Sequence, residues 1–167
     1  MAAIRLAPAQ RTDVGLVLWF IQQLAAYEKA PDQVTATEAL LEKNLFGPRP
    51  YAEVILAFVD DGGTGEETPA GFALYFYNFS TWVGKPGLYL EDLFVVPEFR
   101  GRGVGRRLLV QLGQIAKERD CGRMEWVVLD WNDPAMRFYL EMGARQMKEW
   151  IIHRVTGPAL DRLAGET

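Results

Sequence analysis

The stretch VVPEFRGRGVGRRLL, Val95 to Leu109, combines glycine with positive charge where an apolar run meets a helical pattern. Gly101, Gly103 and Gly105 stand at alternate positions, among the arginines that begin at Arg100. Glycine allows positive φ angles and close approach of a ligand to the backbone. A helix N-terminus adds unpaired N–H groups and the positive end of the helix dipole. The stretch therefore predicts a turn that binds an anionic group.

Two nucleotide-binding motifs do not fit this stretch. The dinucleotide fingerprint would need its third glycine at Arg106, and a P-loop would need a Gly-Lys-Ser/Thr sequence that does not follow. An anion-binding turn and a tight turn with solvated arginines both remain compatible with the residues alone. The helix that follows is well supported, because Val104, Leu108, Leu112 and Ile115 form an apolar stripe.

Hydrophobic periodicity places this turn in a chain of strands and helices. Strands are predicted at 3–7, 51–61, 70–79, 87–97 and 123–130, with two further short strands around 145–154. Helices are predicted at 13–29, 37–46, 104–119 and 132–142, with a small tail helix after Gly157. This order predicts an α/β (α+β) fold with a mixed sheet and helices on its faces, forming one domain over residues 1–167.

Two motifs resemble those of the GNAT N-acetyltransferase superfamily. Arg100-Gly101-Arg102-Gly103-Val104-Gly105 resembles its pyrophosphate loop, Gln/Arg-x-x-Gly-x-Gly/Ala, and WNDPAMRFYLEMGA at 131–144 resembles its second hallmark. Further likeness to the diamine acetyltransferases, the spermidine/spermine and thialysine enzymes, lies in LAAYEKAPDQV, FGPRPY, YNFSTWVGK and LYLEDLFVVPEFRG. The resemblance implies a GNAT fold, a mostly antiparallel sheet with a splayed central strand, acetyl-CoA as co-substrate, no metal and a homodimer.

The resemblance also implies which residues contact acetyl-CoA. Backbone groups of the central strand would pair with the pantetheine and the thioester carbonyl, so that one N–H there is an oxyanion donor. The cofactor-binding set is Leu93, Phe94, Val95, Arg100, Gly101, Arg102, Gly103, Val104, Gly105, Arg106, Asn132 and Ala135. Tyr139, two helical turns after Asn132, would protonate the departing thiolate, because a tyrosine hydroxyl keeps its proton at neutral pH.

The central strand GLYLEDLFVVP contains two adjacent acids, Glu91 and Asp92. Strand alternation predicts Leu88, Leu90, Asp92, Phe94 and Val96 on one face, with Tyr89, Glu91, Leu93 and Val95 on the other. The resemblance implies a bulge in this strand. An amine acceptor arrives as a cation, so acids that bind it and a base are expected nearby. We select Glu91 as the base, acting through water, with Glu28, Asp92 and Glu125 as the other candidate acids.

One sequence difference from the polyamine-acetylating enzymes bears on the identity of the acceptor. Those members resemble Asp-Pro-Trp where this chain has Ser80-Thr81-Trp82, so a carboxylate for a second, distant ammonium is missing. This favours a small amino-acid-like or short diamine acceptor. The substrate-binding set is Tyr27, Glu28, Ser80, Trp82, Asp92, Glu125 and Trp126. Polyamine acetylation and a CoA-binding regulatory module without turnover are the alternatives.

Composition limits the remaining classes. The 167-residue chain has a net charge of -4, which argues against general nucleic-acid or anionic-membrane binding. A single cysteine, Cys121, cannot form an internal disulfide or a structural zinc site and fits a reducing cytoplasm. The first twenty residues interrupt their apolar positions with Arg5, Arg11 and Asp13, so they read as neither a signal peptide nor a membrane span. The sequence thus predicts a cytoplasmic enzyme acting on a small cationic amine.

Overall fold

The computed structural model describes residues 3–63 and 65–165. Its helices are α1 (Val14–Tyr27), α2 (Glu38–Phe46), α3 (Val104–Glu118), α4 (Asp133–Glu141) and α5 (Pro158–Gly165). Its strands are β1 (Ala3–Pro8), β2 (Glu53–Asp60), β3 (Thr68–Ser80), β4 (Lys85–Val95) and β5 (Arg123–Glu125). The chain packs as two compact units, Met1–Val127 and Val128–Thr167.

The first unit contains a five-stranded sheet with the order β1-β2-β3-β4-β5. The first four strands are antiparallel, and β5 lies parallel to β4. β-branched and aromatic residues in β2 and β3 favour this pairing, since their side chains pack well on a pleated surface. The predicted mixed, mostly antiparallel sheet with helices is confirmed.

One face of the sheet is covered by α1 and α2. The core there comprises Val17, Phe20, Leu45, Val54, Leu56, Phe72 and Phe94, with Phe20 and Phe72 stacked at 5.3 Å between ring centroids. Such aromatic contacts add to the free energy gained by removing the rings from water. This packing fixes the C-terminal end of α1 against the end of β4.

The other face of the sheet is covered by α3. Its buried stripe is Val104, Leu108, Leu109, Leu112 and Ala116. At the far end of the helix, Arg119 donates to Glu53 at 2.9 Å, and the Tyr75 hydroxyl donates to the same carboxylate at 3.1 Å. The Arg119 guanidinium lowers the pKa of Glu53. The helix is therefore anchored to β2 by both apolar and ionic contacts.

β4 contains a β-bulge that changes which residues share a face. Tyr75 of β3 pairs with Leu90, whereas the preceding residue, Leu74, pairs with Asp92, so Glu91 is the extra residue. An inserted residue shifts the two-residue side-chain period by one position. The strict alternation predicted for this strand is therefore wrong beyond Leu90.

The corrected faces follow from the cross-strand partners. Leu88, Leu90, Leu93 and Val95 share one face, opposite Tyr77, Tyr75, Ala73 and Gly71. Asp92 and Phe94 lie opposite Leu74 and Phe72, on the side that α1 covers. Leu90 and Asp92 were predicted together and instead lie on opposite faces. The bulge thus directs Asp92 toward the C-terminal end of α1.

Two other predictions for strands are wrong in extent. β5 covers Arg123–Glu125, and the rest of the predicted strand at 126–130 is not extended in a ladder. The predicted pair of short strands around 145–154 does not form within the described residues. Both segments have strand-like composition, but β propensity alone does not supply a pairing partner.

The second unit contains α4 and α5. Asn132 caps α4, its side-chain oxygen accepting from the Ala135 N–H at 3.3 Å. The helix ends in a Schellman motif: Ala144 donates to the Tyr139 carbonyl and Gly143 to the Leu140 carbonyl, both at 3.0 Å. Gly143 has a φ of 91°, which glycine adopts without strain. The prediction that all 167 residues form one domain stays a prediction.

Candidate active site

The glycine-rich turn has the conformation that its composition predicts. Gly101 and Gly103 have φ angles of 71° and 89°, and a side chain added at either would meet open space. Gly103 is the residue before α3, and no side chain caps the helix there. The first helical bond runs from Arg107 N–H to the Gly103 carbonyl at 2.9 Å, which leaves earlier N–H groups for another acceptor. This turn can bind an anion.

Arg100 does not point into this turn. Its Nε donates to the Val95 carbonyl at 2.9 Å, and its guanidinium lies 4.5 Å above the Tyr27 ring and 5.5 Å from the Phe94 ring centroid. Stacking of arginine on an aromatic ring is favourable through the cation–π interaction. Arg100 therefore joins the start of the glycine-rich turn to the last residue of α1.

Arg102 and Arg106 are the other two arginines predicted beside phosphates. Arg102 makes a bidentate ion pair with Asp61, and its guanidinium lies 5.3 Å from the Phe99 ring centroid. Arg106 is exposed in the first turn of α3. Both arginines belong to the start of the helix, and Arg102 is paired there with the Asp61 carboxylate.

The edge of β4 opens beside this turn. β4 pairs with β5 only from Gly87 to Tyr89, opposite Arg123 to Glu125. Within residues 3–63 and 65–165, no strand pairs with Leu90–Val95 on that edge. Alternate residues of a strand direct N–H and C=O groups toward each edge. Among the described residues, the backbone at Leu93, Phe94 and Val95 therefore has no neighbouring strand on that edge.

Three acids converge where β4 bulges. Asp92 is largely buried, and its pKa is raised to about 7 by burial, then by the charges of Glu91 and Glu28. Burial also raises the pKa of Glu28, the residue that follows α1. Tyr27 lies alongside, its ring centroid 6.4 Å from that of Phe94. The structure brings Tyr27, Glu28, Glu91 and Asp92 together, which strand alternation did not predict.

The end of α1 has an unusual backbone. Lys29 has a φ of 61°, in the left-handed region that non-glycine residues seldom adopt. Ala30 donates to the Ala25 carbonyl at 2.9 Å and Lys29 to the Ala26 carbonyl at 3.1 Å, closing a Schellman motif without glycine. The helix thus ends sharply after Tyr27, so Glu28 lies in the turn near Asp92.

Other predicted substrate residues lie elsewhere in the first unit. Glu125 accepts from Asn78 Nδ2 at 2.9 Å and pairs with Arg123 at 3.0 Å, and Trp126 is half-buried next to it. Ser80 is buried at the end of β3. Trp82 follows in the turn to β4 and is 90% exposed. The side-chain partners of Glu125 are thus residues of β3 and β5.

The candidate cofactor and acid residues of the second unit lie on α4. Asn132 and Ala135 form its first turn, and Tyr139 lies seven residues after Asn132, half-buried and 5.2 Å from Phe138 between ring centroids. A seven-residue spacing places Asn132 and Tyr139 on one side of the helix.

Sequence reasoning missed three features of the first unit. The first is the face switch at Glu91, which follows from strand register. The others are the Arg100–Tyr27 stacking and the Arg102–Asp61 pair, each joining residues more than forty positions apart. Only the resemblance signalled the bulge, and no local pattern signals the two arginine contacts.

A separate cavity of about 570 Å³ lies between β1, β2, the end of α2 and α3. Its polar lining includes Glu53, Tyr75 and Arg119, and none of the predicted site residues lines it. Among the described residues, no group of three or more His, Cys, Asp or Glu is placed to hold a metal ion. None of the helices in residues 3–63 and 65–165 combines the length and apolar character that crossing a bilayer requires.

Known proteins resemble the chain over nearly its whole length. Thialysine N-epsilon-acetyltransferase from Bos taurus is 35% identical, covering 99% of this chain and 100% of that protein. L-ornithine N5-acetyltransferase from Arabidopsis thaliana is 31% identical, covering 95% and 87%. An integron cassette protein from the mobile metagenome of V. cholerae has a TM-score of 0.78 at 28% identity, covering 98% of each chain.

The family comparison spans both compact units. The acetyltransferase (GNAT) family matches residues 19–144, which include the glycine-rich turn, the β4 bulge and α4. The thialysine and ornithine acetyltransferases cover 99% and 95% of the chain. The chain therefore belongs to the GNAT acetyltransferase family and is an N-acetyltransferase.

Proposed function

We propose that the chain transfers an acetyl group from acetyl-CoA to the primary amine of a small, cationic, amino-acid-like molecule. The observation that carries this proposal is the group of three acids at the β4 bulge, beside the end of α1. A cationic amine is attracted to such a group, whereas an anionic or apolar acceptor is not. Thialysine and ornithine, named in the relatives, are amino acids with a side-chain amine.

The residues of the glycine-rich turn fit the pyrophosphate of acetyl-CoA. Gly101 and Gly103 leave the space that bulkier residues would fill, and the first N–H groups of α3 face no capping side chain. Bound acetyl-CoA supplies a thioester whose carbonyl carbon accepts the amine. The backbone of Leu93, Phe94 and Val95 would bind the pantetheine and stabilise the negative charge on the thioester oxygen.

The acids would prepare the amine for attack. A lysine-like amine has a pKa of about 10.4, so presenting it neutral at pH 7 costs roughly 4 to 5 kcal/mol. Asp92 and Glu28 would bind and orient the ammonium, and Glu91, exposed at the bulge, would remove its proton through a water. Tyr139 would return a proton to the departing thiolate. This is direct transfer in a ternary complex.

The acceptor is proposed to be small because Ser80 offers no carboxylate to bind the second ammonium group of a long polyamine. The Ser80 side chain is buried, at the position where the polyamine enzymes resemble aspartate, and the exposed residues that follow it, Thr81 and Trp82, carry no charge. A long polyamine would leave a distant ammonium without a carboxylate at this position. Spermidine and spermine are therefore proposed to be poorer acceptors than an amino acid with a terminal amine.

An amine panel tests this assignment. Release of CoA thiol from acetyl-CoA is measured with thialysine, lysine, ornithine, putrescine and spermidine at equal concentration. We expect the highest kcat/KM among the three amino acids, because they carry one side-chain ammonium for the acid group. No thiol release with any amine, despite CoA binding, would leave a regulatory module, and a preference for spermidine would reject the small acceptor.

The two proton transfers are tested by Glu91→Gln and Tyr139→Phe. Each variant should lower kcat by roughly 100-fold or more, the usual contribution of a positioned acid or base. The dissociation constant for CoA should stay near that of the unmodified chain, because neither change touches the glycine-rich turn. Tyr51→Phe, at a residue that is 74% exposed, is the matched control for loss of a hydroxyl. An unchanged kcat would remove the tested residue from its role.

The raised pKa of Asp92 predicts a pH dependence. Asp92 is neutral below about pH 7 and charged above it. The value of kcat/KM for a cationic amine should therefore increase as the pH rises through that value, which gives a bend in the pH profile. Asp92→Asn should remove the bend, whereas Glu98→Gln, at an exposed acid, should keep it. The same bend in Asp92→Asn would assign the titration to another group.

The same pKa has an effect on stability with a defined sign. The folded state holds a proton on Asp92 that the unfolded state loses, between the ordinary pKa of 3.8 and about 7. This group therefore makes the free energy of unfolding fall as pH rises through that window. In chemical denaturation, Asp92→Asn should show a smaller fall between pH 4 and pH 7 than Glu98→Gln.

We also propose that the chain forms a homodimer. Trp150, Ile151 and Ile152 are 68%, 79% and 64% exposed and adjacent, which is unusual for a solvated surface. Sedimentation at micromolar concentration should give twice the chain mass. Replacing Ile151 with Asp should shift the mass toward the monomer, because a charge placed in an apolar contact is costly. A monomer at all concentrations would contradict the dimer.

A further inference from the structure

The Asp61 carboxylate occupies the edge of the Arg102 guanidinium that a phosphate would bind. Nη1 lies 3.1 Å from one carboxylate oxygen of Asp61, and Nη2 lies 2.5 Å from the other. This two-point geometry is the one by which a guanidinium binds phosphate. The two acceptors therefore compete for the same edge of Arg102.

Asp61 is held in place by the loop that follows β2. The preceding residue, Asp60, accepts from the Gly62 N–H at 3.1 Å and from the Gly65 N–H at 3.0 Å. These bonds fold the loop around Asp60, as in an Asx turn, and fix the backbone on both sides of Asp61. The carboxylate that meets Arg102 thus belongs to the residue next to Asp60, whose side chain accepts from two backbone N–H groups.

The pair is exposed enough to be exchanged. The side chains of Arg102 and Asp61 are 39% and 53% exposed, and exposed ion pairs contribute little net stability. A phosphate carries negative charge of its own, and it can also accept hydrogen bonds from the nearby N–H groups of the glycine-rich turn. The phosphate should therefore displace the carboxylate. Its affinity is reduced by the free energy of the Arg102–Asp61 ion pair, which must be broken first.

We propose that Asp61 is an internal competitor that weakens CoA binding by holding Arg102 until a CoA phosphate displaces it. This inference rests on the proposed acetyl-CoA site at the glycine-rich turn. The displaced carboxylate also stays close to the bound phosphate and repels it. Asp61 therefore sets an upper limit on affinity for the acetyl-CoA substrate and for the CoA product, and favours product release.

The test compares two variants that remove the same charge from the same loop. Asp61→Asn frees Arg102, whereas Glu67→Gln breaks the pair of Glu67 with Arg5 of β1, made at 2.7 and 2.8 Å. CoA dissociation constants are measured by calorimetry on the full chain at fixed salt. We expect Asp61→Asn to bind CoA about two- to fivefold more tightly, the range of an exposed ion pair, with Glu67→Gln nearly unchanged.

A second background isolates the arginine. In chains that also carry Arg102→Gln, Asp61→Asn should no longer tighten CoA binding beyond what Glu67→Gln does, because the competed group is absent. Dephospho-CoA identifies the phosphate: a gain that persists assigns Arg102 to the pyrophosphate, and a gain that disappears assigns it to the 3′-phosphate. Either result supports the competition.

Two sets of results would overturn the inference. Unchanged or weaker CoA binding in Asp61→Asn would show that the carboxylate does not compete, or that it instead orients Arg102 for the phosphate. An equal gain in both variants would reduce the effect to general charge. Failure of the proposed site is distinguishable, since CoA would then bind equally to the unmodified chain and to Gly103→Ala, where a Cβ is added at φ 89°.

Discussion

The single extra residue in β4 decides which side chains share a face at the candidate site. Because Leu90 pairs with Tyr75 and Asp92 with Leu74, Glu91 is left in a bulge and the strand changes phase. The same region is where pairing with β5 stops. A regular strand would have kept Leu90 and Asp92 on one face. The bulge thus exposes Glu91, directs Asp92 toward α1 and precedes an open strand edge.

The acids gathered there are an electrostatic cost to the folded chain. Burial and two neighbouring carboxylates raise the pKa of Asp92 to about 7, which shows that its charge is poorly compensated by the protein itself. A bound ammonium would supply the missing positive charge. Arg100, whose guanidinium stacks on the Tyr27 ring, is already engaged with the Val95 carbonyl and with two aromatic rings. A cationic ligand bound beside Asp92 would therefore stabilise its charged form more than the neighbouring residues of the chain do.

Local patterns in the sequence sufficed for the features that depend on local geometry. The glycine-rich turn, α3 and the start of α4 at Asn132 require only neighbouring residues and were predicted at nearly their observed bounds. The phase of β4 beyond Leu90 was predicted wrongly because a two-residue period contains no information about insertions. Arg100 on Tyr27 and Arg102 on Asp61 depend on tertiary contacts. The extent of β5 likewise depends on a partner strand, which composition does not specify.

This division follows from how the two substrates would be held. A pyrophosphate bound by backbone N–H groups needs glycines and a helix start, and these leave a motif that can be read in one stretch. An amine bound by side-chain charges needs carboxylates from the end of α1 and from β4, which are more than sixty positions apart in the chain and form no motif. Their convergence depends on packing of α1 over Phe94 and on the bulge. Acceptor choice in this fold can therefore change through single side chains while the glycine-rich turn stays the same.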